Sequence, residues 1–108
     1  MHVRDIMRRS PLTVREDDGL GTAQALMAWN GIRHLPVVEQ GRLSGILSER
    51  DLLAFRAIEP GWKAAHVRDA MTPRPQFAHP EDSLTEVAGR MAAARIGALP
   101  VVERGSLV

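Results

Sequence analysis

Apolar positions along the chain change period in a fixed order, and that order occurs twice. "LTV" (Leu12–Val14) is a short apolar stretch that predicts a strand, and "PQFA" (Pro75–Ala78) holds the same place in the second half. Acidic and small residues then open a helix, "EDDG" (Glu16–Gly19) first and "PEDS" (Pro80–Ser83) later. Leu20, Ala23 and Met27 recur at helical spacing, and Leu84, Val87, Ala88 and Met91 do so more cleanly, giving each helix one apolar face. Ser83 and Glu86 have the spacing at which a hydroxyl and a carboxylate each take an unpaired amide at a helix start. The β-branched run "HLPVVE" ends in the Gly-containing turn "EQGR" (Glu39–Arg42) and returns as "LSGIL" (Leu43–Leu47), a hairpin. Pro36 has no ladder donor, which places its strand at an edge or at a strand start. "SERDLLAFR" (Ser48–Arg56) predicts a closing helix, so one unit reads β-α-β-β-α. "AIEPGWKAA" (Ala57–Ala65), broken by Pro60 and Gly61, reads as a linker.

Segments from the two halves align at one offset of 64: "VRDIM" (Val3–Met7) with "VRDAM" (Val67–Met71), Leu20 with Leu84, Met27 with Met91, and "LPVVEQG" (Leu35–Gly41) with "LPVVERG" (Leu99–Gly105). "SP" at Ser10–Pro11 and "TP" at Thr72–Pro73 differ by 62, which predicts a two-residue insertion in the second repeat. Two copies are too few for a solenoid and imply a pseudo-symmetric pair, with repeats at 1–60 and 61–108. The second repeat stops at Val108 inside its returning strand, with no last strand or closing helix. The expectation is a trimmed form of a longer chain, because a half-unit leaves Leu99, Val101 and Val102 short of packing partners.

Composition narrows the chemistry. The 108 residues are 44% hydrophobic and 25% charged, which is globular. A net charge of +1, with basic and acidic residues interspersed, gives no footprint for nucleic acid or an anionic membrane. There is no cysteine, so disulfides, thiolate catalysis and thiol metal sites are excluded. No apolar run approaches the roughly 20 residues of a membrane span, and the start "MHVRDIMRRSP" has no signal-peptide core, so the expected location is cytoplasmic.

The most chemically suggestive stretch is the junction after the first hairpin. Ser48 stands where a strand ends and a helix begins, and the first amides of a helix carry partial positive charge suited to phosphate. Asp51, one turn on, offers a carboxylate for the two hydroxyls of a ribose. The same Ser-x-x-Asp spacing equally describes an ordinary helix cap.

"VRDIM…SPLTV", "IRHLPVVEQGRLSGILSERDLL" and the second "VRDAMTP…IGALPVVERG" together resemble the cystathionine-β-synthase (CBS) domain in its tandem form, the Bateman module. The resemblance covers the whole chain. It implies an α/β (α+β) fold of two β-α-β-β-α units packed through their sheets, with clefts that bind AMP, ADP, ATP or S-adenosylmethionine. It implies regulation without catalysis, no required cofactor, and a homodimer. It favours the ligand reading of Ser48 and Asp51, on the "G-I-x-S-x-x-D" run that includes Gly45 and Ile46. It further implies Arg33 and His34 against phosphates, and Ile96, Gly97, Ala98 and Pro100 against adenine, with Thr72 and Gln76 at the cleft wall. The opposite cleft lacks its second-repeat carboxylate. A ligand-free dimerisation or docking module is the alternative, with the regulated partner unnamed.

Remaining constellations are weaker. His2, His34, His66 and His79 lack metal-ligand spacing, and "EDD" (Glu16–Asp18) reads as a solvated helix start. Trp29 and Trp62 read as packing residues, and Phe77 is either an adenine stack or a core residue. No glycine-rich phosphate loop or nucleophile–base signature is visible.

Overall fold

The computed structural model describes residues 1–108, and its packing divides the chain differently from its repeats. Leu12–Pro75 forms one unit, continuous in sequence; Met1–Pro11 and Gln76–Val108 form a second, discontinuous one. Each repeat therefore gives its leading "VRD" segment to the unit built mainly by the other.

In the continuous unit, α1 (Leu20–Asn30) leads to strands β1 (His34–Glu39) and β2 (Arg42–Ser48) and helix α2 (Glu49–Ile58). A 3-10 turn (Trp62–Ala64), the short helix α3 (Val67–Ala70) and strand β3 (Thr72–Pro73) complete it. β1 and β2 pair antiparallel from His34–Ser48 to Glu39–Arg42, and the register slips between Val37 and Val38. Gln40 (φ 51°) and Gly41 (φ 79°) both take left-handed backbone, the turn whose twist suits a two-residue hairpin. Leu35, Val37 and Leu47 point inward and close a core with Val14, Leu20, Ala23, Met27, Leu52 and Val67. α1 thus buries the three positions its periodicity predicts.

Three expectations for this unit change. "LTV" is not a strand: only Val14 pairs, donating to Pro36 O (3.1 Å) and accepting from Val38 N (2.9 Å) in one parallel bridge to Val37. Those bonds leave from the outer edge of β1, the side toward which a Pro36 N–H would point, so the proline costs the β1–β2 ladder nothing. Residues 57–65 are not a linker either. α2 continues to Ile58, Trp62 packs on the core, and the Arg56 guanidinium lies 4.5 Å from the centre of its ring. Trp29 is 91% exposed and is not a packing residue, because it sits on the outer face of α1, away from Ala23 and Met27.

The discontinuous unit holds a 3-10 turn (Val3–Asp5), α4 (Leu84–Ala94) and a hairpin of β4 (Val102–Glu103) and β5 (Ser106–Leu107). The returning strand expected to be missing is thus present as two paired residues, because the Arg104–Gly105 turn brings Ser106 and Leu107 back onto β4. Val3, Ala78 and Val87 form its core, with Met7, Met91, Leu99 and Val101 packed around them. Leu99 and Val101 are thereby partly covered and Val102 is buried, so the apolar surface expected to lack partners finds some within this unit; the Val3 among them comes from the first repeat. "PQFA" contributes one parallel bridge, Ala78 to Val101, and no strand. Ala88 lies exposed on α4. The expected reciprocal cap is only half made: Glu86 N reaches Ser83 Oγ at 3.5 Å, while the Ser83 backbone bridges to His2.

Left-handed residues fall in pairs at the single offset of 64: Ser10 and Arg74 (φ 48° and 47°), Gly31 and Arg95 (61° and 56°), Gln40 and Arg104 (51° and 53°), Gly41 and Gly105 (79° and 81°). The expected two-residue insertion is therefore absent. Ser10–Pro11 corresponds to Arg74–Pro75, and Pro73 is an extra proline. No helix is long and apolar enough to cross a membrane.

Candidate functional site

β2 ends and α2 begins at Ser48, because the alternating apolar run "LSGIL" gives way to a hydroxyl followed three residues later by an acid. Ser48 Oγ accepts from Asp51 N at 3.0 Å, and Asp51 Oδ2 accepts from Ser48 N at 3.3 Å. The same Oδ2 accepts the Thr72 hydroxyl at 3.2 Å. Oδ1 takes no part in these bonds, so the carboxylate is oriented with half of its acceptor capacity unused.

Thr72 reaches Asp51 because β3 runs antiparallel beside β2, with Thr72 opposite Ile46 and Pro73 opposite Gly45. That approach requires glycine. A Cβ on residue 45 would stand 2.7 Å from Met71 Sδ and 2.9 Å from Thr72 O. Sequence reasoning attached no such role to Gly45, although a glycine inside an apolar strand signals close backbone approach.

Residues directly opposite in a ladder share a face, and residues two apart along a strand do so too. His34 lies opposite Ser48, Pro36 opposite Ile46, and Ile46 opposite Thr72. His34, Ile46, Ser48 and Thr72 therefore line the sheet face turned away from Leu35, Val37 and Leu47. Four of the expected site residues meet on one surface, with Asp51 above it.

The start of α2 is less open than expected. Arg33 O accepts from Glu49 N at 2.8 Å, and Ser48 Oγ holds Asp51 N, so of the first three amides these bonds leave only that of Arg50. Arg33 itself is exposed. His34 is half-buried, and its pKa lies below the ordinary 6.5: burial depresses it most, the Asp51 carboxylate partly offsets this, and Arg33 adds to the depression. The imidazole is thus mainly neutral at pH 7, so Arg33 is the fixed positive charge of the pair.

The other expected residues belong to the discontinuous unit. Gln76 is exposed at its first position after the crossing. Ile96, Gly97 and Ala98 follow α4, where Ile96 N donates to Met91 O at 3.0 Å past the left-handed Arg95. Gly97 is exposed and Ala98 half-buried, while Pro100 is buried with its carbonyl accepting Ala78 N at 2.9 Å. Phe77 is exposed, not a core residue; its ring meets His79 edge-on at 5.5 Å. The "EDD" turn is more than a solvated helix start: Asp18 accepts Arg15 N at 2.8 Å, and Asp17 pairs with Arg68. No group of three or more His, Asp or Glu side chains is arranged to hold a metal.

A family model described as CBS domain matches residues 3–58 and 67–108. The CBS domain-containing protein YhcV of Bacillus subtilis (strain 168) is 33% identical over 113 residues, covering 98% of this chain and 76% of that protein. Methanogen homoserine O-acetyltransferases match it as well, but the chain spans only 20–22% of their length. Among solved structures, a Vibrio cholerae protein named for acetoin utilization (AcuB) superposes with a TM-score of 0.93 at 35% identity, over 100% of this chain and 81% of that one. The CBS domain pair of protein MJ0100, in complex with 5′-methylthioadenosine and S-adenosyl-L-methionine, gives 0.87 at 26% identity, over 100% and 88%. CBSX2 in complex with AMP gives 0.88 at 28% identity, over 99% and 86%. With a CBS match in each half and neighbours of the same mixed α+β architecture, the chain belongs to the CBS domain family.

Proposed function

We propose that this chain is a regulatory module that binds an adenosine ligand and catalyses no reaction. One observation carries the reading: the Asp51 carboxylate is oriented beside a half-buried sheet face by Ser48 and Thr72, with Oδ1 outside those bonds. A carboxylate so held can accept both hydroxyls of a ribose, and charge-assisted bonds of this kind are the strong ones. The Arg33 guanidinium and the Arg50 amide supply positive charge for a phosphate. AMP bound to CBSX2, and S-adenosyl-L-methionine and 5′-methylthioadenosine bound to the MJ0100 pair, support the ligand class. AMP, ADP, ATP and S-adenosylmethionine all present the ribose diol, so Asp51 serves any of them. Occupancy regulates by favouring whichever arrangement of the module binds the ligand more tightly. The same reading has the module act in the cytoplasm on a partner protein, as a homodimer, without nucleic acid or membrane.

Calorimetry of the full chain against these four ligands tests it. At least one is expected to bind, and Asp51→Ala to weaken it tenfold or more, in line with about 1.5–3 kcal/mol for a hydrogen bond to a charged group. Because Asp51 also caps α2, the comparison is of ligand-induced stabilisation, not of stability itself. No binding of any of the four, or unchanged affinity in Asp51→Ala, overturns the reading.

Exposed Leu53 and Ile58 on α2 favour a second reading, a ligand-free dimerisation module. Dimers in ultracentrifugation combined with calorimetric silence would select it.

A further inference from the structure

Each unit is closed by a four-residue segment that the other repeat supplies, and the two segments are the same: His2-Val3-Arg4-Asp5 and His66-Val67-Arg68-Asp69. Their seating matches bond for bond. Val3 N donates to Asp82 O at 3.0 Å, and Val67 N to Asp18 O at 2.9 Å. Arg4 N donates to Pro80 O at 2.9 Å, and Arg68 N to Glu16 O at 3.1 Å. The start of the long helix is held from the segment in both: Leu84 N by Met1 O at 3.0 Å, Leu20 N by Ala65 O at 2.8 Å. Arg4 pairs with Glu81 and Arg68 with Asp17, while Asp5 and Asp69 accept from His2 N and His66 N within their own segments. In both, the valine is the buried anchor.

The two closures differ in what else holds them. Val67 is fully buried against the large core, and its segment runs on into β3, whose Thr72 is bonded to Asp51. Val3 sits in a smaller cluster, and Arg8 and Arg9 beyond it are exposed and outside any strand. The chain then crosses between units directly after Ser10–Pro11, with Ser10 in left-handed backbone (φ 48°) as Arg74 is before the second crossing (φ 47°), so the difference lies in β3 and the larger core and not at the crossings.

We infer that the groove over Ala78 and Val87 is an exchangeable docking site, and that residues 1–9 of another copy of this chain can take the place of its own. Every bond of the closed form is reproduced when an identical segment arrives from another copy, so exchange costs no contacts. The acidic Glu81 beside the anchor groove gives the incoming Arg4 its partner. The segment around Val67 does not exchange, because leaving its groove also breaks the β2–β3 pairing and the Thr72–Asp51 bond.

The cysteine-free sequence makes the test direct. His2 and Ser83 are bridge partners, both exposed, and such pairs stand at a separation that a disulfide can span. His2→Cys and Ser83→Cys proteins, each checked for native circular dichroism, are mixed at high concentration and oxidised. The expected product is a disulfide-linked heterodimer at least several-fold above that from mixed Gly19→Cys and His66→Cys, the bridge pair of the continuous unit. Heterodimer no more abundant than in that control overturns the proposal. Should either single variant misfold, the double variant His2→Cys/Ser83→Cys decides. A covalent dimer fraction that rises with protein concentration supports exchange, and a cross-linked monomer at every concentration rejects it.

Discussion

Thr72 is exposed, yet its hydroxyl has a defined partner, Asp51 Oδ2 at 3.2 Å, which makes it a positioning residue for the carboxylate proposed to hold ribose. Thr72→Val keeps the shape and removes the donor. We expect it to weaken AMP binding about three- to tenfold, the range of a partly solvated hydrogen bond, and Thr72→Ser to restore most of the loss. Isothermal titration of the three proteins checks this, and equal affinities would assign the hydroxyl no role. His34 makes a pH prediction from the opposite strand. Its folded pKa is depressed, so the unfolded chain holds more of its proton in that range. The stabilisation is thus complete above the ordinary value of 6.5 and is lost as the pH falls below it toward the folded pKa. The urea midpoint should drop between pH 7.5 and 5.5, and drop less in His34→Gln. A fall of the same size in that variant would mean the effect arises elsewhere.

At the scale of elements, the repeat offers its own control. α1 ends on Gly31 and α4 on Arg95, both left-handed, with the next amide (Ile32, Ile96) returning to a carbonyl of the last turn, Met27 or Met91. Glycine enters that conformation freely, whereas arginine is strained there but gives up less freedom on folding. Arg95→Gly is expected to stabilise by roughly 0.5–1 kcal/mol, the difference of the two effects, and Gly31→Arg to destabilise by a similar amount. Urea unfolding measures both, and destabilisation by Arg95→Gly would sink the argument. Local signals of this kind are what a sequence states openly. The first hairpin was legible because alternation, a two-residue turn and a glycine suffice to specify it, and Ser48 with Asp51 because a cap needs only a spacing of three. The second hairpin was not, since two residues a side leave too little alternation to read. The single bridges of Val14 and Ala78 were not, since one paired residue leaves no period to read. Nor was the failure of the Ser83–Glu86 box, which depends on His2 from the far end of the chain. Thr72 was expected at the site only through the family resemblance, and Gly45 only as part of the run ending at Asp51. The Thr72–Asp51 bond, the close approach over Gly45 and the Arg33 carbonyl arise from the β2–β3 register and the β1–α2 approach, which no local spacing specifies.

For the whole molecule, the repeat and the folding unit are different objects, and the difference is physical. A boundary at 60/61 follows the alignment, but it cuts between α2 and the Trp62, Ala65 and Val67 that complete the same core. A fragment of residues 1–60 keeps the hairpin and both long helices and loses the buried Val67, the Val67–Asp18 and Leu20–Ala65 bonds and all of β3. A fragment of residues 12–75 keeps every one of these and omits only the two segments, 1–11 and 76–108, that form the other unit. Removing a large buried valine alone typically costs a domain of this size a substantial part of its marginal stability, which is about 5–15 kcal/mol for an intact domain and less for a small one. We therefore expect 12–75 to unfold cooperatively, with dispersed amide resonances, and 1–60 to show neither property under the same conditions. The comparison is informative because 1–60 is the fragment that the alignment recommends. Should 1–60 prove the better folded of the two, the segment around Val67 would be an accessory to this unit and not the piece that closes it.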